Sequence, residues 1–265
     1  EPRDRLGRFD RAARSPASRG PMRSAFHAAS ASIVLLSATA LAQDARVGWS
    51  AVWDGPASQD DYVTKLVADS SGGAIVVGRS YDASVGFPPP PPTQDALVAR
   101  YDANGVLLWD HRVDWIGGDD QAQDVALDPA TGDVIVAGYA GGYQGATYVT
   151  DLWLARYDAN GTELWSVHHD GSGASADFGR TILIAGAGRI YVGGSSYGAT
   201  ASSDLAVFAF DAGGTFLWET HVDGLASGAD GGGFLAWHPS GDLVVAGQLT
   251  SLGGAGDLGV ARLTT

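Results

Sequence analysis

The chain reads as an all-β repeat protein, and three observations predict that class. Four columns of identical residues recur in the same order along the sequence. Each repeat divides into short apolar segments separated by Gly, Asp, Asn or Pro. No stretch after the N-terminal region sustains the 3.6-residue period of a helix. The first column is Trp49, Trp109, Trp165 and Trp218, at intervals of 60, 56 and 53 residues. The second is Asp61, Asp120, Asp177 and Asp230. The third is Gly78, Gly138, Gly194 and Gly247, and the fourth is Asp95, Asp151, Asp204 and Asp257.

Each unit divides into four strands. In the second unit these are QDVALDP, DVIVAGYA, DLWLARYD and GTELWSVHHD, rich in Val, Ile, Leu and aromatic side chains that suit a pleated, half-buried surface. Between the first and second strands, DSSGG, DPATGD, AGAGR and HPSGD each put Gly in a hairpin turn. Before the Trp strand, YDANG and FDAGG do the same. The units run from about 59 to 115, 116 to 171, 172 to 224 and 225 to 265, with an additional Trp strand at 47–55.

Repeated four-stranded units are the blades of a β-propeller, in which radial repetition leaves only short, protected edges. The last unit reads DLGVARLTT without a Trp strand, whereas VGWSAVWDG at 47–55 is a Trp strand without a unit, so pairing the two would close the ring. Residues present in every unit serve the fold first. The Trp column is expected to pack between blades, the Gly column to allow close backbone approach, and the Asp columns to cap turns through backbone N–H groups.

The N-terminal region has a different pattern. After Met22 comes one Arg, an apolar run of about fifteen residues and Ala40-Leu41-Ala42 before Gln43. That order makes residues 22–42 a secretory signal peptide cleaved after Ala42, and the run is too short to span a bilayer comfortably. Residues 1–21, basic and punctuated by Pro and Gly, read as a non-native upstream extension that cannot pack. Residues 43–265 are then the repeat domain, secreted or periplasmic, and they carry a net charge of −18. No Cys is present, so no disulfide forms. The acidic field repels phosphate backbones and anionic lipid, which excludes nucleic acid and membrane insertion and leaves cations, a protein surface or a glycan as partners.

The pieces GDDQAQDVALDPATGDVIVAG (118–138) and GFPPPPPTQDALVARYDANG (86–105) resemble the bacterial seven-bladed β-propeller repeat (SBBP) family along essentially all of 47–265. That resemblance implies a propeller and is nearly silent on activity. Seven blades do not follow from four units: four blades closing on themselves, two chains pairing as a homodimer, and a fragment of a longer chain all stay open. ARYDANGTELW (155–165) is also similar to the Trp-docking motif of pyrroloquinoline-quinone (PQQ) propellers, with Asp158 one place late and Asn160 in place of Thr. The cofactor cradle implied by that similarity is missing.

Candidate sites come from what does not repeat. Asp119, Asp120 and Asp124 in GGDDQAQD are the candidate ligands for calcium, whose hard oxygen chemistry suits carboxylates. His168 and His169 are adjacent on a strand, so their side chains point to opposite faces and cannot share one ion. Tyr139, Tyr143 and Tyr148, with Phe87 beside the polyproline run, mark aromatic loops of unequal length where a propeller would bind a ligand. No nucleophile elbow, phosphate loop or isolated carboxylate pair is present. No catalytic residue and no cofactor are therefore assigned. The expected function is an exported, non-catalytic binding or interaction module. The alternatives are a PQQ-like oxidoreductase or its degenerate relative, and a structural fragment of a larger repeat protein.

Overall fold

A computed structural model describes residues 47–55, 57, 59–82, 93–171, 176–197, 202–225 and 228–264. The signal peptide at 22–42, the extension at 1–21 and Phe87 lie outside the described residues. Four antiparallel sheets follow one another along the chain, and a 3₁₀ turn at Gly186–Gly188 is the only helical element among the described residues. Sheet one holds β1 (Asp61–Ala68), β2 (Ala74–Tyr81), β3 (Gln94–Tyr101) and β4 (Leu107–Val113). Sheet two holds β5 (Gln121–Leu127), β6 (Val134–Gln144), β7 (Thr147–Tyr157) and β8 (Glu163–His169). Sheet three holds β9 (Asp177–Ile184), β10 (Ile190–Tyr197), β11 (Ser203–Phe210) and β12 (Phe216–Val222). Sheet four has β13 (Gly231–Trp237), β14 (Leu243–Thr250) and β15 (Gly256–Leu263). Every sheet is a meander in which neighbours in sequence are neighbours in space.

The core lies between sheets, in three layers. Ile75, Val77 and Val98 of sheet one meet Val125, Val136 and Trp153 of sheet two. The opposite face of sheet two, with Ile135, Leu152 and Leu154, meets Ile182, Val192 and Phe208 of sheet three. Tyr191, Leu205 and Val207 of sheet three meet Leu243 and Val245 of sheet four. Interior sheets are thus apolar on both faces. That is why β7 and β11 read as continuous apolar runs rather than alternating ones.

The Gly column follows from a bulge. Each first strand skips one residue in its pairing with the second, between Val63 and Lys65 in sheet one and between Ala122 and Asp124 in sheet two. The bulge pushes a carbonyl oxygen toward the second strand. A Cβ on Gly138 would sit 1.9 Å from the Gln121 oxygen, and the same clash recurs at Gly78, Gly194 and Gly247.

The Trp column joins consecutive units. The Trp109 ring lies over Gly161, where a Cβ would come within 2.7 Å of it and where φ is +87°. Its Nε1–H donates to the Ala159 carbonyl at 3.2 Å, and Trp165 repeats the contact on Gly214 and Ala212.

One ion pair also repeats, half-buried in sheet one and buried in sheet two, and its exception is informative. Arg100 of β3 bonds Asp69 in the β1–β2 turn at 2.9 Å, and Arg156 of β7 bonds Asp128 at 2.8 Å and Asp133. In the third unit the corresponding positions are Ala209 and Ala185, so both members are missing together. Losing one alone would leave a buried charge unpaired, which costs far more than losing both.

The expected closing strand behaves differently from the sequence reading. Val47–Gly55 forms no ladder, and no described strand pairs with the outer edge of β15. Instead Trp49 stacks on Tyr101 with ring centroids 6.3 Å apart and covers Gly105, the place on sheet one that Trp109 takes on sheet two. The indole is held by the counterpart of the Gly-containing turns that receive Trp109 and Trp165. No closed ring is formed among the described residues.

Candidate functional site

Two features stand out from the scaffold: carboxylates buried at the seams between sheets, and an exposed aromatic hairpin. The seams are built from the Asp columns. Asp120, fully buried, accepts the N–H groups of Trp115 at 3.0 Å and Gly141 at 2.9 Å. Asp177 accepts Gly171 N–H at 2.7 Å, Asp230 accepts Gly224 N–H at 2.7 Å, and Asp61 accepts Gly55 N–H at 3.1 Å. Each carboxylate thus ties a sheet to the segment arriving from the preceding one. The main chain adds a tie at two seams, where Asp120 N–H donates to Gln94 at 2.7 Å and Asp230 N–H to Ser203 at 2.6 Å.

Around this tie the carboxylates gather in threes. Asp95, Asp114 and Asp120 each offer an oxygen within 4.8 Å of the others, and so do Asp204, Asp223 and Asp230. Burial lifts Asp120 to about 7. It lifts Asp95 to about 6, with Arg112 opposing the rise and Asp82 and Asp114 adding to it. At the seam between, burial with the neighbouring charges of Asp170 and Asp177 raises Asp151 to about 6. Counter-charge is local. Arg112 bonds both Asp95 and Asp82, and His221 Nδ1 lies 3.3 Å from Asp204. The groups of three have the span of an oxygen cage for a hard cation, but they are built from columns that repeat in every unit and recur at two seams, so they belong to the scaffold first.

The sequence-predicted calcium residues do not converge. Asp119 accepts Gln94 N–H at 3.3 Å, Asp120 belongs to the seam, and Asp124 accepts Val125 and Ile182 N–H groups at 2.9 Å each and faces Lys65 at 3.7 Å. The residues that do gather with Asp120 are Asp95 and Asp114. Asp114 belongs to a fifth column, Asp54, Asp114, Asp170 and Asp223, which has the same spacing as the Trp column and was legible in the sequence. His168 and His169 contact different neighbours. His168 stacks on Trp115 at 4.1 Å, and burial lowers its pKa to about 4, whereas His169 stacks on Phe216 at 4.1 Å.

The aromatic feature lies on sheet two. Strands β6 and β7 are 11 residues long, against 8 for their counterparts in the other sheets, and the extra length forms a projecting hairpin. At its tip Tyr143 is 67% exposed and sets its ring edge-to-face with Tyr148, centroids 5.0 Å apart. The Tyr148 hydroxyl accepts Asp119 N–H at 3.0 Å, and a Gly117–Gly142 bridge pins the hairpin base. This hairpin is braced, not loose. Tyr139 sits lower, its ring against Phe178 at 5.1 Å and its hydroxyl donating to Gln121 at 3.0 Å, and it is not presented to solvent as Tyr143 is.

No protein-family profile matches the sequence, and no curated protein matches it. Among solved structures, an endo-arabinase from Bacteroides thetaiotaomicron is similar, with a TM-score of 0.45 and 12% identity over 82% of this chain and 80% of that one.

Proposed function

We propose that the four sheets are consecutive blades of a β-propeller of the SBBP type, and that the protein is an exported, non-catalytic module that binds glycan through the β6–β7 hairpin. The observation that carries the binding reading is the exposed Tyr143–Tyr148 pair on a braced projection that has no counterpart among the described residues of the other units. Aromatic faces held rigidly at the surface match the C–H faces of sugar rings, and a rigid aromatic loses little side-chain entropy on binding. The buried carboxylates support a scaffold role, since they are tied to main-chain N–H groups and recur from seam to seam.

Affinity electrophoresis through gels containing soluble plant and bacterial polysaccharides tests the reading. Retardation by at least one polysaccharide, weakened tenfold or more by Tyr143→Ala, is expected. Unretarded protein in every gel, or retardation that Tyr143→Ala leaves unchanged, would overturn it. Export is tested separately by the N-terminus of the mature protein, expected at Gln43.

A further inference from the structure

One row of side chains repeats in position but not in kind. The residue after the column Asp of each first strand pairs directly with the residue after the column Gly of the second strand. The four pairs are Tyr62–Arg79, Gln121–Tyr139, Phe178–Ser195 and Gly231–Gln248. The flanking columns hold Asp or Gly in every unit, so this row is free of the constraint that fixes its neighbours. In the first three sheets its occupants touch across the seams. The Arg79 guanidinium lies 4.8 Å over the ring of the exposed Tyr62, and its Nη1 donates to Gln121 Oε1 at 3.1 Å. The Tyr139 hydroxyl donates to the same Gln121 oxygen at 3.0 Å, and the Tyr139 ring meets Phe178 edge-to-face.

Arg79 differs from the other arginines of the sheets in its partner. Arg100, Arg112, Arg156 and Arg262 each bond an Asp carboxylate, whereas the hydrogen bond of Arg79 goes to the neutral Gln121. Arg180, exposed on β9, is likewise in no ion pair among the described residues, and the charges of both arginines reach the Tyr139 hydroxyl. Two acids stand near the row and both are engaged: Asp60 accepts the Tyr62 hydroxyl at 3.3 Å, and Asp119 accepts Gln94 N–H at 3.3 Å. A guanidinium held over a tyrosine and tied to an amide, with no carboxylate of its own, is positioned for an anion from outside. At 0.15 M salt the field of distant carboxylates fades within about 8 Å, so an anion bound there senses Arg79 and Arg180 more than the net charge.

The row also leads to the tyrosine hairpin. Tyr139 stands on β6 four residues before Tyr143, about 14 Å along the strand at about 3.4 Å per residue, which a short glycan chain covers. A planar carboxylate matches a planar guanidinium. We propose that the glycan bound at the hairpin is acidic, with Arg79 taking the carboxylate of a uronic acid and Arg180 adding positive charge beside it. The inference rests on the glycan-binding reading above and deepens it. Arg79 is then the residue that sets specificity, and Tyr143 with Tyr148 supply the contact to the sugar ring.

Calorimetric titration in 0.15 M salt with polygalacturonate, alginate and hyaluronate, each beside its carboxyl-reduced neutral form, tests the assignment. At least one acidic polymer is expected to bind about tenfold more tightly than its reduced form. Arg79→Gln should erase that difference and Arg79→Lys should restore part of it. Arg180→Gln, which breaks no hydrogen bond among the described residues, should reduce it without affecting the melting temperature. Equal binding of acidic and reduced forms, or a difference that survives both Arg79→Gln and Arg180→Gln, would overturn the acidic assignment. Binding of reduced forms that Tyr143→Ala abolishes would leave the hairpin reading standing in that case. Binding of dextran sulfate and of no uronic-acid polymer would overturn the carboxylate in favour of a sulfated sugar, and no binding of any polymer would overturn both readings.

Discussion

Sheets two and three are each packed between two neighbouring sheets, whereas sheet four leaves Leu258 and Val260 of one face exposed among the described residues, and the same repeat sequence sits in both settings. Leu205 and Leu258 each follow the column Asp of their third strand, yet one is buried completely and the other, on a sheet with no fourth strand among the described residues, is 86% exposed. A blade therefore encodes half of each interface. Burial is conferred by the adjoining sheet, which is how repeat arrays add stability unit by unit.

The contrast can be broken most strongly at the repeated ion pair. Arg156 and Asp128 are buried, so Arg156→Ala should destabilise by about 3–5 kcal/mol by stranding two aspartates. In sheet four His238 holds the place of Asp128, Arg262 has one carboxylate partner among the described residues, Asp242, the counterpart of Asp133, with its side chain half exposed, and Arg262→Ala should cost far less than Arg156→Ala. Urea unfolding of the two variants checks the difference, and equal losses would mean that sheet four is covered in solution.

Next in size is the leucine pair. Leu205→Ala should cost about 2–5 kcal/mol by opening a cavity between sheets three and four. Leu258→Ala should change stability by no more than about 0.5 kcal/mol. Both values come from the same denaturant titrations.

The smallest expected effect is on pH dependence. Asp95, Asp120 and Asp151 bind protons more tightly when folded, so their contribution to stability is complete below pH about 4 and is lost as pH rises through about 6 to 7. His168 acts in the opposite sense, since it is held neutral and costs stability as pH falls from about 6.5 toward 4. Asp69, held at about 2 by the Ser71 hydroxyl and further by main-chain N–H groups and Arg100, costs stability below about pH 4. The net expectation is a stability maximum near pH 5, on the order of 2 kcal/mol above that at pH 7.5. Thermal melts at the two values measure it. Asp151→Asn should flatten the rise, and a protein more stable at pH 7.5 than at pH 5 would contradict the assignment.

Much of the fold was legible in the residues because it is periodic. The strands, the Gly-containing turns and the sheet order follow from columns that repeat every 53 to 60 residues. The candidate site was less legible. Tyr143 and Tyr148 stood out as aromatics in an unequal loop, but their exposure and mutual packing depend on the register of an 11-residue hairpin. Tyr139, in the same stretch of sequence, went instead against Phe178. The acidic loop misled more, because adjacent carboxylates in sequence alternate in direction on the chain, and the partners of Asp120 came from 25 residues upstream and from the connector.

The order of the strands, the places that require Gly and the positions that must be apolar were set by chemistry local to each repeat, since hairpin turns and strand alternation act over a few residues. Which apolar positions are buried, which aspartates meet, and where the Trp49 segment lies were decided only when sheets stacked. Each of those outcomes depends on a surface brought in by another sheet or segment. The physical reason is that a β-sheet satisfies its hydrogen bonds internally, whereas its faces are completed by a neighbour.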